Sequence, residues 1–294
     1  MPPAPGAIIG IGDDAAVLRV PDPRIVATTD LLVQGRHFRT EWSGPADIGG
    51  KAAARSLADV AAMGATSVAL LVGLAAPSHL PVAWAQDFAS GLAEEAARGG
   101  AHVIGGDVSQ ASPIMVAVTA IGALAGGEPV TRSGARPSDA VAVAGRLGHS
   151  AAGLALLQAG RTESSEMVGA HQRPRPPYDA GPEAAALGAT SMIDVSDGLL
   201  ADLGHIAAAS GVLIDVDTAR LELAAPLLAV ARALRHDPLD WVLSGGEDHA
   251  LAATFPRDAG LPPRWAVIGR VHEGQGIRVD GANYRGEYGW EHFR

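Results

Sequence analysis

The chain has 294 residues, enough for one large or two ordinary domains with a sizeable core, and its 48% hydrophobic and 18% charged content is that of a globular protein. With 22 basic against 32 acidic residues the net charge is −10, which argues against a nucleic-acid surface or an anionic membrane and means that anionic substrates need metal ions. No cysteine is present, so disulfides, thiolate catalysis and sulfur-ligated metal sites are excluded and a reducing cytosol is the default.

Short aliphatic runs bounded by Gly, Pro or Asp predict strands at Ile8 to Ile11, Arg24 to Ala27, Ser67 to Leu74, His102 to Ile104 and Met115 to Ala123. Ala and Leu at helical spacing, closed by glycine, predict helices at Ala46 to Met63 and Val82 to Arg98. The longest apolar stretch, Ser67 to Ala76, stops at Pro77, far short of a membrane span, and no targeting segment is expected. Around Thr131 to Pro137 the composition turns polar, which sets an expected domain cut near residue 136 and two domains, 1–136 and 137–294. Ala140 to Ala144 opens the second set. It continues with a helix N-capped by Ser150 and running to Gly160, a strand at Ser191 to Ile193, a helix at Leu199 to Ala209 and a strand at Leu213 to Val216. Arg173 to Pro177, made only of Pro and Arg, reads as a surface loop or a helix break. The alternation of elements, with 37 glycines for the loops between them, places the chain in the α/β class.

Three familiar site motifs fail on inspection. Lys51 is the only lysine, and Gly50-Lys51-Ala52 lacks both the Ser/Thr and the leading glycine of a phosphate-binding P-loop. Gly148-His149-Ser150-Ala151-Ala152-Gly153 misses a nucleophile elbow by one residue. Gly10-Ile11-Gly12-Asp13-Asp14-Ala15 matches a dinucleotide fingerprint, but two carboxylates occupy the pyrophosphate's approach, and Pro21 and Pro23 leave no room for the helix that should follow.

The acids carry more information. Asp13 and Asp14, Asp30, Asp107, Asp194 and Asp197, and Glu247 with Asp248 each follow an apolar run within a few residues, and strand ends are where α/β proteins place ligands. Each alone is also a turn former or helix cap. Gathered together, such carboxylates repel unless cations separate them, and oxygen-only ligation suits Mg²⁺ and, with it, bound phosphates. Asp59 differs in lying near the end of a helix. Its plain reading is an i, i+4 pair with Arg55, although its apolar surroundings leave a metal partner open.

The strings GIGDDAAV (Gly10 to Val17), ATTDLLVQGRHF (Ala27 to Phe38), LADVAAMGA (Leu57 to Ala65), GGDVS (Gly105 to Ser109), TRSGARPSD (Thr131 to Asp139), IDVSDGLLADLGHI (Ile193 to Ile206) and LSGGED (Leu243 to Asp248) resemble, in order and over nearly the whole chain, the thiamine-monophosphate kinases of the aminoimidazole ribonucleotide synthetase superfamily. The resemblance implies two α/β domains and a homodimer whose paired N-terminal sheets form a barrel. It also implies ATP-dependent phosphorylation of thiamine monophosphate to thiamine diphosphate in the cytoplasm. It makes Asp14, Thr28, Thr29, Asp30, Asp59, Asp107, Asp194 and Asp197 Mg²⁺-site residues, sets Gly106, Asp107, Arg132 and Ser196 near ATP, and sets His37, Glu247 and Trp290 against thiamine monophosphate. On their own, His37 is a surface or loop histidine, Trp290 a packing residue and Ser196 an N-cap of the helix at Leu199; Asp202 and His205 read as structural. The chain departs from the family pattern in starting almost at GIGDD, without the usual leader helix. It departs again at Ala58, where Ser or Asn is common, and at His249 and Ala250, where GGEDYEL is common. A ligase or selenophosphate-type synthetase of the same superfamily and a non-catalytic nucleotide- or thiamine-binding protein are the competing readings. No catalytic general base is expected, because the acceptor phosphate is already ionised.

Overall fold

The computed structural model describes residues 7–9, 15–20, 22–162 and 165–290. The chain forms two compact units, the first ending at Glu128 and the second starting at Pro129, ahead of the cut expected at residue 136; Ala62–Gly64 cluster with the second. Among the described residues no helix is long and apolar enough to cross a membrane.

In unit 1, β1 (Ala7–Ile9) and β2 (Val17–Leu18) form a small antiparallel pair. The main sheet contains β3 (Ile25–Val33), β4 (Thr66–Ala76), β5 (His102–Gln110) and β6 (Met115–Ala123) in the order β3-β6-β4-β5, with only β4 and β5 parallel. Two helices, α1 (Pro45–Ala62) and α2 (Val82–Arg98), complete the unit. Helix α1 is rich in alanine and buries Ile48, Ala52, Ala53, Leu57, Val60 and Ala61. It lies on one face of the sheet, where the Ser56 hydroxyl sits 3.0 Å from the Val118 carbonyl. The period of two on β3 is plain: Leu32 is fully buried, whereas Ile25 and Leu31, on the other face, are 56% and 50% exposed. The strand is longer than its expected apolar core, so Asp30 and Asp107 lie inside β3 and β5 and not beyond their ends. The reason is register: Asp30 is paired with Val118 and Asp107 with Gly73, and backbone pairing continues through polar residues as long as the one neighbouring strand persists.

Unit 2 holds β7 (Ala140–Ala144), α3 (His149–Gln158), α4 (Glu166–Gln172), α5 (Ala180–Ala186), β8 (Ser191–Asp194), α6 (Leu199–Ser210) and β9 (Leu213–Val216). A single 3₁₀ turn, Thr218–Arg220, leads to α7 (Ala225–Leu234), α8 (Pro238–Ser244), β10 (Leu251–Phe255), β11 (Trp265–His272), β12 (Gly276–Val279) and β13 (Ala282–Asn283). Its seven strands run β13-β12-β9-β11-β7-β10-β8, antiparallel except for β9 with β12. Strand β10 is buried along its whole length between β7 and β8, and α6 packs on β8, β9 and β12. The Arg173 to Pro177 stretch ends α4, as the helix-break reading expects, with Arg175 exposed and Pro174 and Pro176 buried.

Ser150 does not cap α3. The cap is Gly148, and Ser150 lies inside the helix, where Asp248, distant in sequence, accepts the N–H groups of Gly148 (2.6 Å) and Ser150 (2.8 Å). A carboxylate reaching in from another loop satisfies the exposed amides that a local serine was expected to meet.

Candidate functional site

In unit 1 the expected metal residues divide between two faces of the sheet. Thr28 and Asp30 point to the face that carries α1. There the Thr28 hydroxyl donates to Asp59 Oδ2 (2.7 Å), and the Ser56 hydroxyl lies 2.8 Å from Asp30 Oδ2, with the Arg55 guanidinium 3.6 Å from Asp30 Oδ1. Helix α1 thus supplies Arg55, Ser56 and Asp59 in one turn, facing two alternate residues of β3. This is the geometry in which a 3.6-residue period meets a period of two. Arg55 approaches Asp30, a partner that the i, i+4 reading did not anticipate.

Thr29 faces the other way: its hydroxyl donates to the Val118 carbonyl (3.3 Å) and accepts from Thr119 (3.1 Å). Asp107 goes with it. The register sets Leu31, Ala117, Gly73 and Asp107 in one row, whereas Asp30 shares its row with Val118, Val72 and Gly106. Strands β3 and β5 are three strands apart, about 14 Å at ordinary spacing. Asp107 accepts a hydrogen bond from Ser109 (3.0 Å), two residues along the same face. Asp14 lies outside the described residues. Gly106 is exposed on the edge strand β5. His37 closes the turn after β3: its Nδ1 accepts from the Val33 N–H, and its own N–H donates to the Val33 carbonyl, each at 3.0 Å.

Unit 2 brings Asp194, Ser196, Asp197, Glu247 and Trp290 together through backbone bonds. The loop from β8 to α6 is zipped to the loop from α8 to β10 by Val195 N–H to Ala250 O (2.7 Å), His249 N–H to Val195 O (3.0 Å) and Glu247 N–H to Ser196 O (2.8 Å). The approach is so close that a Cβ on Gly246 would sit 2.4 Å from the Ser196 carbonyl, and one on Gly198 would sit 2.6 Å from that of Ser244. Glu247 and His249 both hold left-handed backbone, φ 67° and 52°, at a cost of about 1–2 kcal/mol each for residues with a Cβ, which only a tightly determined loop sustains.

The C-terminal segment is fixed on the same loop. Ala201 N–H donates to Tyr288 O (3.1 Å), Trp290 N–H to Asp197 O (3.0 Å) and the Ser244 hydroxyl to Glu287 O. Trp290 itself is 61% exposed, so its indole is not core. Arg132 is elsewhere. Its carbonyl accepts from Ser210 at the far end of α6, a helix of 12 residues and so about 18 Å long.

Ser196 does not cap α6; that position is taken by Gly198. Asp202 closes the helix start instead, one carboxylate oxygen accepting the N–H groups of Ser196 (3.0 Å), Asp197 (3.0 Å) and Gly198 (3.1 Å). Burial, and then the charges of Asp194 and Asp197, push the Asp202 carboxyl up to about 8 despite these three donors. Burial likewise raises Asp248 to about 7 against its two backbone donors. Asp194, 4% exposed, accepts from His249 Nδ1 at 3.0 Å. Sequence reasoning assigned no role to His249, and no local pattern could have paired it with Asp194, 55 residues away.

Every side chain proposed for a cation here offers oxygen, the donor set of a hard divalent ion. Among the described residues, however, no three of His, Asp and Glu converge as one metal-binding group. A Ser–His pair does exist, Ser150 Oγ to His171 Nδ1 at 3.1 Å, but both residues are buried and present no nucleophile to a substrate.

Residues 12–124 match the AIR synthase related protein N-terminal domain and residues 136–281 the corresponding C-terminal domain. A thiamine-monophosphate kinase of Mycobacterium tuberculosis is 50% identical over 288 residues, covering 97% of this chain and 86% of that protein. The chain belongs to the thiamine-monophosphate kinase family. In structure it is similar to a thiamine-monophosphate kinase from Stenotrophomonas maltophilia K279a (TM-score 0.86, 34% identity, 95% of this chain and 92% of that one). It is similar as well to AaThiL complexed with AMPPCP and TMP (TM-score 0.87, 34% identity, 96% and 92%). The family assignment agrees with the two-domain α/β fold expected from the motif strings.

Proposed function

We propose that the chain phosphorylates thiamine monophosphate to thiamine diphosphate, with ATP as donor, by direct in-line transfer. The observation that carries this reading is the nearly full-length likeness to thiamine-monophosphate kinases, including a relative complexed with AMPPCP and TMP. The acceptor oxygen is already ionised near neutral pH, so the chain's task is to hold two polyanions in line and offset their charge.

We assign Thr28, Asp30 and Asp59 on the covered face of unit 1, Thr29 and Asp107 on its other face, Asp194 and Asp197 in unit 2, and Asp14, to holding Mg²⁺. Bound there, the ions would supply charge neutralisation and orientation of phosphate oxygens. The split by face supports separate ion positions, each completed by phosphate oxygens. Gly106, Asp107, Arg132 and Ser196 are assigned to ATP. His37, Glu247 and Trp290 are assigned to thiamine monophosphate, His37 through a ring whose Nδ1 is already committed to its turn. The exposed Trp290 indole, on a residue whose backbone N–H donates to the Asp197 carbonyl, suits a cationic thiazolium, worth roughly 0.5–2 kcal/mol.

The resemblance further implies a homodimer with unit 1 as the dimerising domain. The face of the unit 1 sheet opposite α1 supports this, with Ile25, Leu31 and Leu71 exposed for a second copy to cover, closing a barrel of paired sheets. We place the activity in the cytoplasm, where ATP is supplied. The test is a coupled ADP-release assay: turnover is expected only with thiamine monophosphate and Mg²⁺, and to stop with EDTA. ADP release indifferent to thiamine monophosphate would overturn the reading.

A further inference from the structure

His249 is placed as a device for holding one carboxylate. It is 2% exposed, its Nδ1 lies 3.0 Å from Asp194 Oδ2, and its Nε2 is buried with no hydrogen-bond partner among the described residues. A carboxylate opposite Nδ1 requires the proton on that nitrogen, so the ring donates there, while Nε2 meets no partner among the described residues. Among those residues the ring's hydrogen bonding is therefore spent on Asp194. Asp194, in turn, accepts no other hydrogen bond among the described residues, so His249 alone fixes the carboxylate's orientation and leaves Oδ1 for another ligand. The loop is shaped to achieve this: His249 is left-handed at φ 52°, and Val195, the residue after Asp194, is bonded both to the His249 N–H and to the Ala250 carbonyl. Ring and carboxylate are thus held from both ends by the same two-strand zipper.

We propose that His249 is a positioning residue which, by donating from Nδ1, sets Asp194 for a divalent cation. The inference rests on the kinase reading above for Asp194 as a ligand of the cation and for the cation's other ligands. An outer-shell imidazole of this kind typically changes metal affinity 10–100-fold.

The test compares His249→Leu, which removes the donor, with His249→Asn. Asparagine tolerates left-handed backbone and keeps an N–H near the Nδ1 position. In ¹⁵N-labelled protein the wild-type imidazole should show a protonated Nδ1 and a far-downfield Nδ1 proton that disappears in Asp194→Asn. Calorimetric Mg²⁺ titration in the presence of the non-hydrolysable ATP analogue should weaken about tenfold in His249→Leu and return to within about threefold in His249→Asn. The KM for thiamine monophosphate should move less than twofold. An unprotonated Nδ1, or equal Mg²⁺ affinity in wild type and His249→Leu, would overturn the proposal. Asparagine behaving like leucine would do the same, since the ring would then only fill space. If these signals appear in a protein that releases no ADP with thiamine monophosphate, the kinase reading fails and the positioning role stands.

Discussion

The two units fix their acidic side chains by different means. In unit 1, Asp30 meets the Ser56 hydroxyl at one oxygen and the Arg55 guanidinium at the other, and Asp59 accepts from the Thr28 hydroxyl, all from side chains on regular elements. In unit 2, Asp194, Asp202 and Asp248 are buried and held by an imidazole, three loop amides and two helix amides respectively. The difference separates tasks. A carboxylate held only by side chains on regular elements is available to a cation, whereas one that collects buried amides is committed to the backbone, and burial raises its pKa so that it exchanges protons near neutrality. Asp194 belongs by location to the second unit and, being held by a side chain and not by amides, by its tie to the first.

The comparison is broken most sharply by Asp30→Ala. Turnover should fall a hundredfold or more, about 3 kcal/mol in the barrier, with the thermal midpoint nearly unchanged, since the proposed function assigns this group to the reaction and not to the fold. A large loss of stability with kcat/KM intact would show that Asp30 only anchors Ser56. Asp202→Ala should show the reverse pattern. It orphans three amides and should cost about 2–3 kcal/mol in urea unfolding, whereas Asp202→Asn, which keeps an acceptor, should cost under about 1 kcal/mol. Equal effects of the two substitutions would contradict the capping role.

Asp248 sharpens the contrast through pH. Its folded pKa of about 7 lies above the ordinary 3.8, so the folded state binds the proton more tightly than the unfolded chain. The stability it contributes is complete below about pH 4 and is lost as pH rises through about 7. The difference in unfolding free energy between wild type and Asp248→Asn should therefore drift against the wild type across that window; a flat difference would deny the raised pKa. The smallest effect belongs to Trp290→Ala. The KM for thiamine monophosphate should rise several-fold while the ATP KM and the thermal midpoint hold, and a lowered midpoint with both KM values intact would make Trp290 a packing residue.

Much of the fold is legible in the sequence. Met115 to Ala123, Ala140 to Ala144, Leu213 to Val216 and Val82 to Arg98 have the bounds that apolar runs and glycine stops imply. The caps were not legible. Ser150 and Ser196 carried the local signal of an N-cap, but the acceptors came from Asp248 and Asp202, and a loop closed by a residue later in the chain leaves no mark at the helix start. The segregation of Thr28 and Asp30 from Thr29 follows from alternation along a strand, but the expected strand stopped at Ala27, so it became visible only with β3 extended to Val33. The register that sets Asp107 with Leu31 was not, because it depends on a four-strand order. The His249–Asp194 pair required the zipper between two loops.

The central claim is tested most directly by following the γ-phosphoryl group itself. With [γ-³²P]ATP, Mg²⁺ and thiamine monophosphate, the purified chain should carry the label into thiamine diphosphate, with no label gained when the acceptor is unphosphorylated thiamine. Label released as inorganic phosphate, or retained in ATP while Mg²⁺ and both substrates are saturating, would contradict the account.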